Sequence, residues 1–326
     1  MFGRKLATLT VGGIVAVATF YADMVSVKAE YPDRPIKVIV GFRAGGATDT
    51  LSKLFTKPLG PILGQPVVTT TVSGGGGAIG TAQAARSKAD GYTLVVGSNG
   101  TMTVSPQTRN TGYTHENFIS LGRMAAVPTG WAVRADSPIK TMQDLVAHVK
   151  KNPNTNYTSV GTGSSVHLTA ALWADAAGIK LNHIGNRGGR GAIVKLLSKE
   201  VDFIVVSATN FPARLKKGKS DLRPLAVSTS KRWSYAPTVP TVTETGVNQT
   251  AASWWGLFAP KGTPAAAVAK LRAAVKKVGT SPEMAATLKK FYYTPAYANE
   301  AAMAKIIAAD LATNKKGLAF LGRLKK

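Results

Sequence analysis

Residues 36–49 read IKVIVGFRAGGATD, and this stretch decides the fold. It opens with a strand candidate over residues 36–42, an apolar run rich in β-branched residues, continues through a glycine-rich turn, and ends in residues typical of a helix start. An apolar run of this kind is typical of a strand buried on both faces of a parallel sheet. The stretch therefore predicts a strand, a glycine loop and a helix in that order, which is the repeating unit of an α/β protein.

The same alternation continues along the chain. The other strand candidates are 66–72, 92–97, 131–135, 156–160, 181–185, 201–207, 223–228 and 253–259. Helix-start patterns lie between and after them, namely Thr141 with Asp144, Thr263-Pro264, and Ser281-Pro282. Residues 300–322 have apolar side chains at helical spacing. The pattern predicts central sheets with helices on both faces.

Length and charge limit the possible functions. The chain has 326 residues, which is enough for two domains. It has 41 Lys plus Arg against 16 Asp plus Glu, a formal net charge of +25, yet only 17% of its residues are charged. The charge therefore reflects scarce acids rather than clustered bases. Because no nucleic-acid-binding motif is present, we expect no nucleic acid partner, and we expect the positive field to steer small anions toward a cleft.

Residues 1–29 predict a secretory signal. Arg4 and Lys5 precede a mostly apolar run over residues 6–20, and Val27 and Ala29 occupy the −3 and −1 positions of a cleavage site. The alternative is a membrane anchor, but a single spanning helix needs about 20 apolar residues, more than this run supplies. We expect cleavage after Ala29 and a protein exported to the periplasm.

Three predicted strands lead directly into glycine-rich turns that open helices. We call them the first loop (residues 41–49), the second loop (73–80, SGGGGAIG) and the third loop (161–167, GTGSSVH). The N-terminus of a helix presents unpaired N–H groups and a partial positive charge, so each loop is a candidate seat for an anionic oxygen. The alternative for each loop is a plain turn. Ligands of open α/β sheets bind at such strand ends.

Other chemistry finds little support in the sequence. Glycines at 75, 77 and 80 match the G-x-G-x-x-G spacing, but the next predicted strand does not end in the acidic residue that a dinucleotide site needs. The chain has no cysteine, and none of its histidines stands at metal-ligand spacing from another: His115, His148, His167 and His183. No paired nucleophile and base is visible. We expect no metal, no cofactor and no enzymatic activity.

A set of motifs runs in order through the chain after residue 30. They are 31–36 (YPDRPI), the first loop, 90–94 (DGYTL), the third loop, 225–227 (LAV), 239–246 (VPTVTETG) and 253–260 (SWWGLFAP). Together they resemble the substrate-binding proteins of tripartite tricarboxylate transporters, also called the Bug family. The resemblance implies a monomeric periplasmic protein that captures a small carboxylate and passes it to a membrane permease.

The resemblance also implies the architecture. It is the two-lobed periplasmic binding protein type II fold, in which each lobe is a central β-sheet flanked by helices and the ligand cleft lies between the lobes. The expected divisions are a signal over 1–29, lobe one over 30–131 and 251–326, and lobe two over 132–250. Crossover strands are expected near Trp131–Arg134 and Trp254–Phe258. In the family, the ligand carboxylate is held largely by backbone groups and ordered water.

The candidate ligand-binding residues follow from the loops and the strand ends. They are Ala44, Thr48, Asp49, Gly75, Gly76 and Ser98 in lobe one, and Thr162, Ser164, Ser165, His167, Arg187 and Ser207 in lobe two. Asp49 has the alternative role of fixing its loop or balancing the helix dipole. His167 has the alternative role of capping its turn.

The sequence departs from the family pattern at 71–74, at 184–188 and at Val206, where family members often carry Asp. The valine removes a negative group that could pair with a ligand ammonium. We therefore expect a ligand without an amino group, either a di- or tricarboxylate or an aromatic carboxylate. Two alternatives remain for the function, a ligand sensor that reports to a signalling receptor and an exported α/β enzyme.

Overall fold

The computed structural model describes residues 30–186, 188–212, 214–215 and 220–320. The predicted signal over residues 1–29 and the candidate residue Arg187 lie outside the described residues. Within the described ranges, none of the helices combines the length and the apolar character that crossing a bilayer requires.

Lobe one is built on a mixed sheet. The strands are β1 (Ile36–Val40), β2 (Val67–Thr71), β3 (Thr93–Ser98), β4 (Phe118–Arg134), β9 (Ala252–Pro260) and β10 (Thr294–Ala298). The parallel strands lie in the order β2-β1-β3, and the antiparallel strands β9, β4 and β10 continue the sheet from β3. The apolar run that opens the deciding stretch is β1, whose residues are almost fully buried, as a strand in the middle of a parallel sheet requires.

Lobe two has a smaller sheet, whose own strands are β5 (Asn156–Thr158), β6 (Asn182–Ile184), β7 (Phe203–Ser207) and β8 (Leu222–Val227). Strand β4 pairs with both β7 and β8, β7 pairs with β5, and β5 pairs with β6. Phe203, Ile204 and Val205 are fully buried. The predicted apolar run at this place is therefore the core strand of lobe two.

The long strand β4 joins the two lobes. It pairs with β9 up to Pro128 and with β7 and β8 from Thr129 onward. The change of partner between Pro128 and Thr129 lies just before the expected crossover at 131–134. The predicted strand covered only residues 131–135, whereas β4 begins at Phe118. The chain returns to lobe one at Ala252, where β9 begins.

The helices cover both faces of the sheets. They are α1 (Ala47–Thr56), α2 (Leu59–Leu63), α3 (Ala78–Ala85), α4 (Ser105–Thr108), α5 (Met142–Lys151), α6 (Ser165–Ala176), α7 (Gly189–Leu197), α8 (Ala265–Gly279), α9 (Pro282–Lys290) and α10 (Glu300–Phe320). The capping box at Thr141 and the N-cap at Ser281 are confirmed. The expected N-cap at Thr263 is wrong, because its hydroxyl donates to the Pro260 carbonyl and α8 begins one residue after Pro264.

Helix α10 contacts both lobes. Asn314 donates from Nδ2 to Thr103 Oγ1 of lobe one at 3.0 Å. Further along, Leu318 packs in a small apolar cluster with Val104 of lobe one and Leu168 on α6 of lobe two. With no cysteine in the chain, packing of this kind holds the lobes together.

Candidate functional site

The first loop joins β1 to α1, which begins at Ala47 without a side-chain cap. Asp49 is 2% exposed, and its Oδ2 accepts hydrogen bonds from Gly45 N and from Lys53 Nζ, both at 2.8 Å. The geometry therefore gives Asp49 the loop-fixing role, although Oδ1 is buried without a hydrogen-bond partner among the described residues. Thr48 is buried and accepts from Trp255 Nε1 at 2.9 Å, which ties the helix start to β9, and Ala44 is exposed.

The second loop contains four consecutive glycines in the left-handed half of conformational space. Residues 74–77 have φ values of 145°, 53°, 61° and 93°, which only glycine adopts readily. A Cβ on Gly41 would lie 2.6 Å from the carbonyl oxygen of Gly77, so the first and second loops pack backbone against backbone. The four glycines thus permit both the turn and this close approach, and they leave Gly75 and Gly76 at the surface of the cleft.

Strand β3 ends beside these loops at Ser98. Ser98 N donates to Thr101 Oγ1 at 3.0 Å, and the chain then enters one π-helical turn over Gly100–Val104 that continues into α4. Behind this turn, burial raises the pKa of the Tyr113 hydroxyl to about 12, and that hydroxyl donates to the Thr101 carbonyl at 2.9 Å. Tyr113 is therefore a neutral support of the turn. π-Turns are frequent at functional sites.

The third loop precedes α6 in lobe two. Ser164, which is 4% exposed, is the N-cap and accepts from His167 N at 3.2 Å. Gly163 N donates to His167 Nδ1 at 3.1 Å. The His167 ring is 1% exposed and stacks on His183 with centroids 4.0 Å apart. His167 therefore lies beneath the loop in its capping role, whereas Thr162 is exposed and Ser165 half-buried at the loop surface.

The loops of the two lobes face each other at short range. A Cβ on Gly76 would lie 3.7 Å from the carbonyl oxygen of Thr162, and a Cβ on Gly100 would lie 3.3 Å from Ser165 N. The second loop and the π-turn of lobe one thus meet the third loop of lobe two. The candidate residues at this contact are Gly76, Ser98, Thr162 and Ser165, and strand ends of this kind often share a cleft.

The last described candidate, Ser207, ends β7. Ser207 is buried, and its Oγ lies 3.0 Å from Thr209 Oγ1. Val206, at the position where family members often carry Asp, is fully buried in the hydrophobic core. No group of three or more metal-ligating side chains occurs in the described part of the chain.

Two residues of the cleft were missed by the sequence analysis. Gly100 opens the π-turn, and Arg109, which directly follows α4, donates from Nη2 to the carbonyl oxygen of Gly75. The sequence singled out only Ser98 in this segment. Nothing in the local pattern places a residue eleven positions further along against the second loop, because that contact depends on the π-turn.

Two lobes joined by a shared strand, with loops of both lobes meeting at the strand ends, are the architecture of the two-lobed periplasmic binding protein fold. The family model described as the tripartite tricarboxylate transporter family receptor matches residues 53–321. The chain therefore belongs to the tripartite tricarboxylate transporter receptor family, a family of solute-binding proteins.

Relatives and solved structures agree with this assignment. The UPF0065 protein in the gbd 5′ region of Cupriavidus necator is 32% identical over 99% of this chain and 96% of its own length. The structure of R. palustris Rpa4515 with adipate has a TM-score of 0.84 at 28% identity, over 90% of this chain and 99% of that one. The periplasmic binding protein BugD has a TM-score of 0.82 at 30% identity, over 91% of this chain and 100% of its own.

Proposed function

We propose that this protein captures a small organic carboxylate between its lobes and delivers it to a tripartite tricarboxylate-type membrane permease. One observation carries the proposal: the second loop and the π-turn of lobe one approach the third loop of lobe two, and the second and third loops each lead into the start of a helix, α3 and α6. Backbone N–H groups at helix starts bind anionic oxygens without a charged side chain. The similarity to a protein solved with adipate supports the same ligand class.

The surroundings of the loops favour a ligand without an amino group. Asp49 is the single carboxylate within the three loops, and its Oδ2 is already bound by Gly45 N and Lys53 Nζ. Val206 contributes no charge from the end of β7. A ligand ammonium would therefore lose its hydration and find in these loops only a carboxylate whose charge Lys53 already offsets, a net cost in free energy. A di- or tricarboxylate or an aromatic carboxylate avoids this cost.

The ligand class is tested by two measurements on the exported protein. Native mass spectrometry identifies the molecule that co-purifies from cells. Calorimetry then compares malate, succinate, citrate, adipate and benzoate with aspartate and glutamate. We expect binding of at least one acid without an amino group. Binding of the amino acids alone would contradict the ligand class, and binding of no carboxylate at all would contradict the function.

The location and the partner need separate tests. We propose that the signal is cleaved after Ala29, so the intact mass of the periplasmic protein is expected to match a chain that begins at Glu30. We expect affinity capture from membranes to recover permease subunits when the ligand is present. Recovery of a signalling receptor instead would assign the protein to sensing rather than to transport.

A further inference from the structure

Arg109 lies where the second and third loops meet. Its Nη2 donates to the carbonyl oxygen of Gly75 in the second loop and to Ser105 Oγ at 3.1 Å. A Cβ on Gly76 would lie 3.4 Å from this nitrogen, and a Cβ on Gly163 in the third loop would lie 3.9 Å from it. The guanidinium of a lobe-one residue therefore reaches the surface of lobe two.

The charge of Arg109 has no counter-charge in the described part of the chain. None of the ion pairs there includes it. Its Nε is buried, and no described residue accepts a hydrogen bond from it. Burying a donor of a charged group without an acceptor is costly in free energy. An anion that pairs with this guanidinium would supply the missing counter-charge.

A second arginine crosses the cleft in the opposite direction. Arg190 belongs to the first turn of α7 in lobe two, and its guanidinium lies 3.7 to 3.9 Å from the place of a Cβ on Gly45 in the first loop. It too takes part in no ion pair among the described residues, and it is exposed. The cleft is therefore flanked by guanidinium groups from both lobes. Such an arrangement attracts an anion with more than one charge.

We propose that Arg109 forms an ion pair with the bound ligand and sets a preference for a ligand with a second anionic group. This inference rests on the proposed function, in which loop N–H groups hold a first carboxylate. The planar guanidinium presents several N–H donors in a fixed geometry that matches a carboxylate. A ligand that bridges the N–H groups and Arg109 contacts both lobes and stabilises their contact. Arg109 is then a specificity-determining residue, and a monoacid leaves its guanidinium without a counter-charge.

The test compares a di- or tricarboxylic acid with its own monomethyl ester, which has nearly the same shape but one charge less. The probe is the tightest binder among malate, succinate, adipate and citrate, and calorimetry gives both dissociation constants. For the wild-type chain we expect the acid to bind about 10- to 100-fold more tightly than the ester, about 1.4 to 2.8 kcal/mol. For Arg109→Gln we expect this ratio to fall by about tenfold or more, with most of the loss in the affinity for the acid.

The matched control is Arg86→Gln, which removes an exposed arginine at the far end of α3 from the second loop. It is expected to keep the wild-type ratio, and circular dichroism and melting temperatures confirm that the variants are folded. A wild-type ratio near one overturns the inference without any variant, as does an unchanged ratio in folded Arg109→Gln. Either result leaves the proposed function intact if a carboxylate still binds. A wild-type chain that binds none of the carboxylates overturns the proposed function and this inference together.

Discussion

Gly100 offers a direct test of whether the contact between the lobes is the ligand-bound arrangement. It opens the π-turn, and its φ is negative, so the backbone tolerates a side chain there. A Cβ would lie 3.3 Å from Ser165 N and 3.7 Å from Ser165 Oγ, across the boundary between the lobes. The first distance is shorter than an ordinary van der Waals contact. The same Cβ would lie 3.5 Å from Ser98 Oγ of lobe one, an ordinary van der Waals distance, so a side chain at this position presses mainly against lobe two.

We expect Gly100→Val to weaken ligand binding and to leave the folding of each lobe intact. Its Cγ methyl groups extend beyond a contact that is already short, and overpacking of this kind costs about 1 to 3 kcal/mol. If the cost falls on the arrangement that binds the ligand, the affinity drops by about 5- to 150-fold. Gly100→Ala adds only the Cβ, so we expect a loss of a few-fold, at the low end of that range.

Calorimetry with the ligand identified in the wild-type protein measures the affinity, and urea unfolding measures the stability. The control is Gly60→Ala on α2, where the nearest atom to the new Cβ is the Gln65 carbonyl oxygen at 3.4 Å, away from the cleft. It is expected to bind like the wild type. Small-angle scattering is expected to show a larger radius of gyration for Gly100→Val in the presence of ligand. Wild-type affinity in Gly100→Val would refute the reasoning, because the bound state would then not bring Gly100 to Ser165.

Three further predictions concern stability. Gly77→Ala and Gly64→Ala both force alanine to a positive φ, at 93° and 73°, which costs about 1 to 2 kcal/mol of stability in each variant. In urea unfolding, Gly77→Ala is expected to lose about 1 to 3 kcal/mol more than Gly64→Ala, because its Cβ would lie 2.7 Å from a side-chain atom whereas Gly64 has open space. Equal losses in the two variants would contradict this prediction. Burial raises the pKa of Asp310, more than its hydrogen bond from Trp254 lowers it, so ionisation costs stability as the pH rises through that pKa. Asp310→Asn keeps an acceptor for Trp254, and its melting temperature is expected to exceed the wild-type value at pH 7 by more than at pH 4; a difference independent of pH would count against it. Ser164→Ala removes the N-cap acceptor of α6 and is expected to cost about 0.5 to 2 kcal/mol in urea unfolding, whereas Ser164→Thr is expected to retain most of the stability, and equal losses would disprove the capping role.

The sequence predicted the strands whose apolar pattern is unbroken. Strands β1 and β7 lie within two residues of their predicted bounds, because burial on both faces leaves few polar residues in the run. The first part of β4 was missed, since Ser120, Gly122 and Arg123 interrupt its pattern. The structure shows register shifts with β9 at the same places, so pairing on both sides rather than local preference makes this segment a strand. Strand β10 was also missed, because Pro295 interrupts its pattern and proline is uncommon inside a strand.

The candidate site shows a similar division. The glycine loops were predicted locally, because a run such as residues 74–77 permits few conformations other than a turn with positive φ. That the second loop touches the third could not be predicted from either loop. The approach of Gly76 to Thr162 depends on how β4 and α10 join the lobes. Arg109 was missed because its contact with Gly75 exists only in the folded chain.

The composition shows that acids are scarce in this chain, and the structure shows where the acids that form ion pairs lie. The acids in the ion pairs of the described residues have side chains that are at least 22% exposed, with the exception of Asp49 in the first loop at 2%. Lys53 offsets that charge, so no acid counters Arg109 and Arg190 beside the cleft. Helix N-termini add partial positive charge there. The guanidinium groups that would attract an anion therefore lie beside the glycine loops that would bind it.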